Sequence, residues 1–133
     1  MDSDVANEIG TKWEAEEIPD EDFLFMRVHH SYLDDDGEPI PGAFRNQPPK
    51  IGGMSTDWQK YSTPEQTIAR ARQPTANIII EFLTGAVRKI PNQLVIHTPE
   101  VDNRAHTDVF GEKTVEVRER FMQIYRTTAL ETR

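Results

Sequence analysis

Nine acids and a single base crowd into residues 1–22, and that imbalance equals the chain's whole formal net charge of −8. The acids are Asp2, Asp4, Glu8, Glu14, Glu16, Glu17, Asp20, Glu21 and Asp22, against Lys12. A segment that repels itself this strongly cannot collapse alone. The core must come from residues 23–133, where fourteen acids meet fourteen bases. The expected organisation is an acidic, partly disordered arm at 1–22 and a compact domain at 23–133. A body of that size can bury one hydrophobic core.

The charge also bears on partners. An anionic arm opposes phosphates, and the body has no basic block, so direct nucleic-acid binding is not expected. The arm is either a solvated tail or a docking element for a larger protein, with Trp13 and Ile18 as its apolar anchors. The chain has no cysteine, which removes disulfides, thiolate metal sites and a cysteine nucleophile. No apolar run approaches the ~18 residues of a membrane span, and the acidic start is unlike a signal peptide. A soluble, cytoplasmic protein is expected, without membrane attachment.

Along the body, Phe23–His30 reads as a first core strand. On a strand, Arg27 and His29 share one face and His30 takes the other. Asp34-Asp35-Asp36-Gly37 reads as a turn. It is not an EF-hand, because the twelfth position from Asp34 is Arg45 rather than a glutamate. Ala43-Phe44-Arg45 reads as a short extended segment, and Gln47–Gly53 as a loop. Thr63-Pro64-Glu65-Gln66 carries a capping box with proline at the first helical position, so a helix is expected from 64 to about 72. Asn77–Phe82 is β-branched and apolar, a buried strand. Leu83–Ile90 reads as a short helix or turn, and Gln93–Thr98 as a strand. Val117, Phe121, Ile124 and Tyr125 recur at helical spacing from Thr114 onward. The expected fold class is α+β, a single small domain with four or five short strands and two or three helices.

Three polar groups stand out as candidate sites. Arg27 with His29 can hold a phosphate or carboxylate, or can simply end a strand in solvent. Ser55-Thr56-Asp57, after Gly52-Gly53, can bind an anionic or ribose group, or can form a turn by side-chain to backbone bonds. The stretch from Asp102 to Asp108 gathers Asn103, Arg104 and His106. There His106 can serve as general acid or base, and Asp108 can orient it if the segment is extended. The alternative is a polar loop. Ser55, His106 and Asp108 compose a Ser-His-Asp set, though without a GxSxG elbow. The four histidines lack metal-site spacing, so no metal is expected. No cofactor is legible from the residues themselves.

Arg27-Val28-His29-His30, Phe44-Arg45-Asn46, Met54-Ser55-Thr56-Asp57 and the helix with Glu65 and Ala69 together resemble the opening half of the RES-type NAD-consuming toxins, small relatives of ADP-ribosyltransferases. That resemblance implies NAD as the ligand, with Arg27 and Ser55 on it, Arg45 as the second arginine, and Glu65 or Glu81 as the glutamate. Gly53–Trp58 and Asp102–His106 also resemble segments of small bacterial proteins, a likeness that implies no activity.

Two functions follow. One is an interaction module (a subunit, adaptor or inhibitor) docking on a larger protein through the arm and polar loops. The other is a small enzyme acting on NAD or another phosphate-bearing ligand. The absence of an intact motif favours the first. Convergence decides: Arg27, Ser55 and His106 lining one concave pocket would favour the enzyme.

Overall fold

A computed structural model describes residues 13–47 and 52–130. Residues 1–12 of the acidic arm and residues 48–51 of the Gln47–Gly53 loop lie outside the described residues. Among the described residues, six strands form one antiparallel sheet: β1 (Phe23–His29), β2 (Met54–Trp58), β3 (Asn77–Leu83), β4 (Leu94–His97), β5 (His106–Phe110) and β6 (Arg126–Thr127). Their spatial order is β4-β5-β2-β1-β3-β6. Three α-helices accompany them: α1 (Pro64–Ala69), α2 (Thr84–Arg88) and α3 (Val115–Ile124). The α+β class holds, with six strands where four or five were expected. The additional strands lie at Met54–Trp58, where the sequence left a binding segment or a turn open, at His106–Phe110, where it left an extended segment or a polar loop open, and at Arg126–Thr127. The expected extended segment at residues 43–45 instead begins inside a short 3-10 turn, Pro41–Ala43. His30 is not on β1 but opens another such turn, His30–Tyr32.

Alternation along each strand sorts the sheet into two faces. Leu24, Met26, Val28, Met54, Trp58, Ile80, Phe82, Val95 and Val109 share one face and are buried. Val87 and Ile90, from α2 and just beyond it, and Val117 and Phe121 of α3 close over them. The Phe121 ring stacks on Phe44 at 5.3 Å and meets Phe82 edge-on at 5.4 Å. On the opposite face α1 packs against β1 and β3. Its start is as expected: Thr63 Oγ1 accepts from the Gln66 amide at 3.1 Å, and Gln66 Oε1 accepts from the Thr63 amide at 3.0 Å. The helix ends at Ala69, short of the expected 72. The Asp34–Gly37 turn closes by Asp34 Oδ1 accepting from the amides of Asp36 and Glu38, with Gly37 at φ +80°.

The packed part of the chain begins before residue 23. Ile18 is 2% exposed and belongs to the core, so it is not the partner anchor expected from sequence. The Glu16 amide donates to His97 Nδ1 at 3.0 Å, and its carboxylate accepts from Lys60 at 2.7 Å and from the Tyr61 hydroxyl. Those hydrogen bonds, that from Lys60 foremost, hold the Glu16 carboxyl below its ordinary pKa. Arg88 donates to Asp20 at 2.6 Å and to the Ile18 carbonyl at 2.7 Å. Trp58 Nε1 donates to Asp22 at 2.9 Å. Among the described residues, no helix is long and apolar enough to cross a membrane.

Lys113 anchors the far end of β5. Its buried ammonium donates to Asn46 Oδ1 at 2.7 Å and to the Val109 and Gly111 carbonyls at 3.0 and 2.6 Å. Burial pushes its pKa down to about 8, with the charge of Asp108 partly offsetting that fall. The unfolded chain therefore binds this proton between pH ~10.4 and the folded value, while the folded chain does not. Stability is expected to rise with pH through that window, by at most ~3 kcal/mol, and to lose that increment as pH falls back through it. Urea unfolding at stepped pH measures the slope, and the Lys113 contribution should be missing from it in Lys113→Met whatever that variant's absolute stability.

Candidate functional site

The sheet forks. β1 pairs with β3 along its full length, from Phe23–Leu83 to His29–Asn77. β2 pairs with β5 from Met54–Val109 to Asp57–His106. Between β1 and β2 the ladder holds two pairs, Leu24–Trp58 and Phe25–Asp57. Past Phe25 and Asp57 the strands part, and a cleft of about 900 Å³ opens between them. Arg27, Val28 and His29 line one bank and Gly53, Met54 and Ser55 the other, with His106 and Asp108 of β5 beside them. Tyr32, Arg45, Glu100, Asp102 and Asn103 complete the rim. Gly53 is required here: a Cβ would sit 2.8 Å from the Asp108 Cβ and 2.9 Å from the Val109 carbonyl oxygen.

The polar side chains that β2 and β5 give to the cleft lie on the face opposite the core, which explains the composition of the two strands. Met54, Thr56 and Trp58 point inward, while Ser55 and Asp57 face the cleft. Thr107 and Val109 are buried, while His106 and Asp108 face the cleft. Ser55 pairs with Asp108 and Asp57 with His106 across the ladder, so Ser55 and His106 are diagonal neighbours. His106 Nε2 is 3.0 Å from Ser55 Oγ. On the ring's other side Nδ1 is 2.9 Å from the Thr98 carbonyl oxygen and 3.1 Å from Thr98 Oγ1. Thr98 Oγ1 donates to Asp108 Oδ2 at 2.9 Å, and Asp108 itself is 3.9 Å from Nδ1. Glu100 stands 3.7 Å from Nε2.

Asp57 forms the floor. Its Oδ1 accepts from Asn103 Nδ2 at 2.9 Å, and its Oδ2 accepts from Thr67 Oγ1 at 2.9 Å and Arg70 Nη1 at 2.7 Å. Asn103 Oδ1 in turn accepts from the Ala105 amide. Asp57 and Asn103, expected as ligand-binding residues, thus spend these atoms joining β2, α1 and the turn before β5. Arg27 is steadied by Nη1 donating to the Thr67 carbonyl at 2.9 Å. The Arg45 guanidinium lies over the Tyr32 ring at 4.5 Å. His29 Nδ1 accepts from the Ser31 amide, capping the turn that follows β1.

Three residues of the expected set lie elsewhere. Arg104 stacks over Tyr61 at 4.1 Å and Trp13 at 4.5 Å, near Glu16, and does not line the cleft. Glu81 is buried under β6, accepting from Arg126 and from Thr128 Oγ1 at 2.8 Å. Glu65 occupies the first turn of α1, also away from the cleft lining. Conversely, Thr98, Glu100, Thr67 and Arg70 were not singled out in the sequence. Glu100 carried no local signal, because only the turn bridging Glu100 to Asn103 brings it to the rim.

Fold and site together define a small antiparallel α+β domain with a polar cleft at a fork in its sheet. Comparison with protein-family models, with curated proteins and with solved structures gave no match to this chain.

Proposed function

We propose that the protein is a small enzyme acting on a phosphate-bearing ligand, NAD or a related nucleotide, in the cleft between β1 and β2. The observation that carries this reading is convergence: Arg27, Ser55 and His106, from three strands, line one concave site. Its volume suits a ligand of nucleotide size. Arg27 and Arg45 supply cationic donors for phosphate oxygens. Glu100 supplies an acid in the cleft, the role the resemblance to NAD-consuming toxins would give to Glu65 or Glu81. The docking-module reading loses support from the arm itself, since Glu16, Asp20 and Asp22 bond to the chain's own Lys60, Arg88 and Trp58.

The test is a thermal-shift series on the full chain with NAD, mononucleotides and inorganic phosphate. A ligand at a hundred times its dissociation constant stabilises by about 2.7 kcal/mol, which is several degrees for a domain of this size. The shift should appear with NAD or a nucleotide and disappear in Arg27→Ala. No shift with any of them, alongside capture of a protein partner that depends on residues 1–22, would replace this reading with the docking module.

A further inference from the structure

We propose that Ser55 is a nucleophile, activated by His106, that forms a covalent phosphoserine intermediate with phosphate esters in the cleft. The substrate class rests on the reading of the cleft given above, while the nucleophile rests on geometry alone. A carbonyl oxygen can only accept, so the 2.9 Å contact between Nδ1 and the Thr98 carbonyl places a proton on Nδ1. The neutral ring then presents the Nε2 lone pair to Ser55, whose hydroxyl donates to it across 3.0 Å. That is the arrangement a base needs to take the serine proton. Behind the ring, Thr98 Oγ1 links Nδ1 to the Asp108 carboxylate. The negative charge of Asp108 favours the imidazolium that forms when Ser55 gives up its proton. The His106 side chain is only 13% exposed, so little water competes for it. Asp108 and Thr98 are positioning residues, since they act through His106.

Ser55 Oγ attacks phosphorus, the Oγ–P bond forms, and the bond from phosphorus to the leaving oxygen breaks. The Ser55 proton passes to His106 Nε2 and then to the leaving oxygen. Water next attacks the phosphoserine, giving a proton to His106. The P–Oγ bond breaks, and Ser55 recovers its proton from His106. Arg27, on the opposite bank, neutralises the phosphoryl oxygens.

The experiment treats the full chain with a fluorophosphonate and maps the adduct by peptide mass spectrometry; there Oγ–P forms, P–F breaks and fluoride leaves. Stoichiometric label on Ser55 is expected, absent in Ser55→Ala and slowed ~100-fold or more in His106→Gln. Thr98→Val, which keeps the fold contacts of a β-branched residue, should slow labelling less, and its rate against pH should shift relative to wild type. An unlabelled Ser55 in the wild-type chain overturns the proposal, and identifies the Ser55–His106 bond as a tie between β2 and β5. A second arm compares bis(4-nitrophenyl) phosphate with 4-nitrophenyl acetate. A nitrophenolate burst from the phosphate ester, with phosphorylated Ser55, supports the stated class, and a burst from the acetate alone overturns it. Label on Ser55 without any nucleotide thermal shift would keep the nucleophile and remove the nucleotide reading; a shift without label would do the reverse.

Discussion

Phe121→Ala is expected to destabilise the domain by about 3–5 kcal/mol, a large share of the ~5–15 kcal/mol by which such domains are stable. Phe121 is fully buried and touches two other rings, Phe44 and Phe82, so truncation strips contacts from three elements at once. The Phe44 ring lies on the segment after the Pro41–Ala43 turn, and Phe82 on β3. The cavity would lie where α3 meets the sheet; Val117 is the helix's other buried residue, and Met122 and Ile124 pack partly buried against the same core. Because β6 follows α3 directly, a loosened helix also strains the Glu81–Arg126 pair at the sheet's edge. Urea unfolding measures the loss, and Phe121→Leu should cost less than half as much because it leaves a smaller void. A loss below 1 kcal/mol for alanine would mean that α3 is not packed on the sheet as described.

Asp57→Ala should cost a comparable amount, about 3–5 kcal/mol, by a different mechanism. The side chain of Asp57 is nearly buried and accepts from Asn103, Thr67 and Arg70. Alanine leaves all three donors without that acceptor, and one of them is a guanidinium. Asp57→Asn keeps one carbonyl oxygen and should fall between alanine and wild type. A double-mutant cycle with Arg70→Met should reveal coupling above ~1 kcal/mol, since the two groups are in contact. By contrast Glu17→Ala, which removes the solvent-exposed partner of Arg88, should change stability by less than ~0.5 kcal/mol. Equal effects at Asp57 and Glu17 would sink the claim that the cleft floor is a structural network.

Much of the fold was legible because its cues are local. The capping box at Thr63 and Gln66 uses atoms three residues apart, and Pro64 carries its own backbone constraint. The apolar run of β3 and the helical spacing of Val117, Phe121 and Ile124 likewise need no distant partner. The strands at Met54–Trp58 and His106–Phe110 were not settled as strands for one reason. Each alternates correctly, but its polar half faces a cleft instead of water, and Ser, Thr, Asp and His in a row look like turn chemistry. Arg104 and Glu81 mislead in the opposite direction. Both are polar and sit near the right segments, yet Arg104 serves as a plate between aromatic rings, and Glu81 closes the sheet edge against Arg126.

From sequence alone came the charge division of the chain, the α+β class, the helix starts and the face that His106 and Asp108 would share if their segment were extended. Those follow from chain stiffness, side-chain period and capping, which act over a few residues. Only the tertiary structure decided that β1 and β2 part after two pairs, and that Ser55 meets His106 across 51 residues of chain. Only it turned the second half of the acidic arm inward onto Lys60, Arg88 and the core. Those outcomes depend on which strand neighbours which, and that choice is made by burial of the whole core face at once, a quantity no short window of sequence contains.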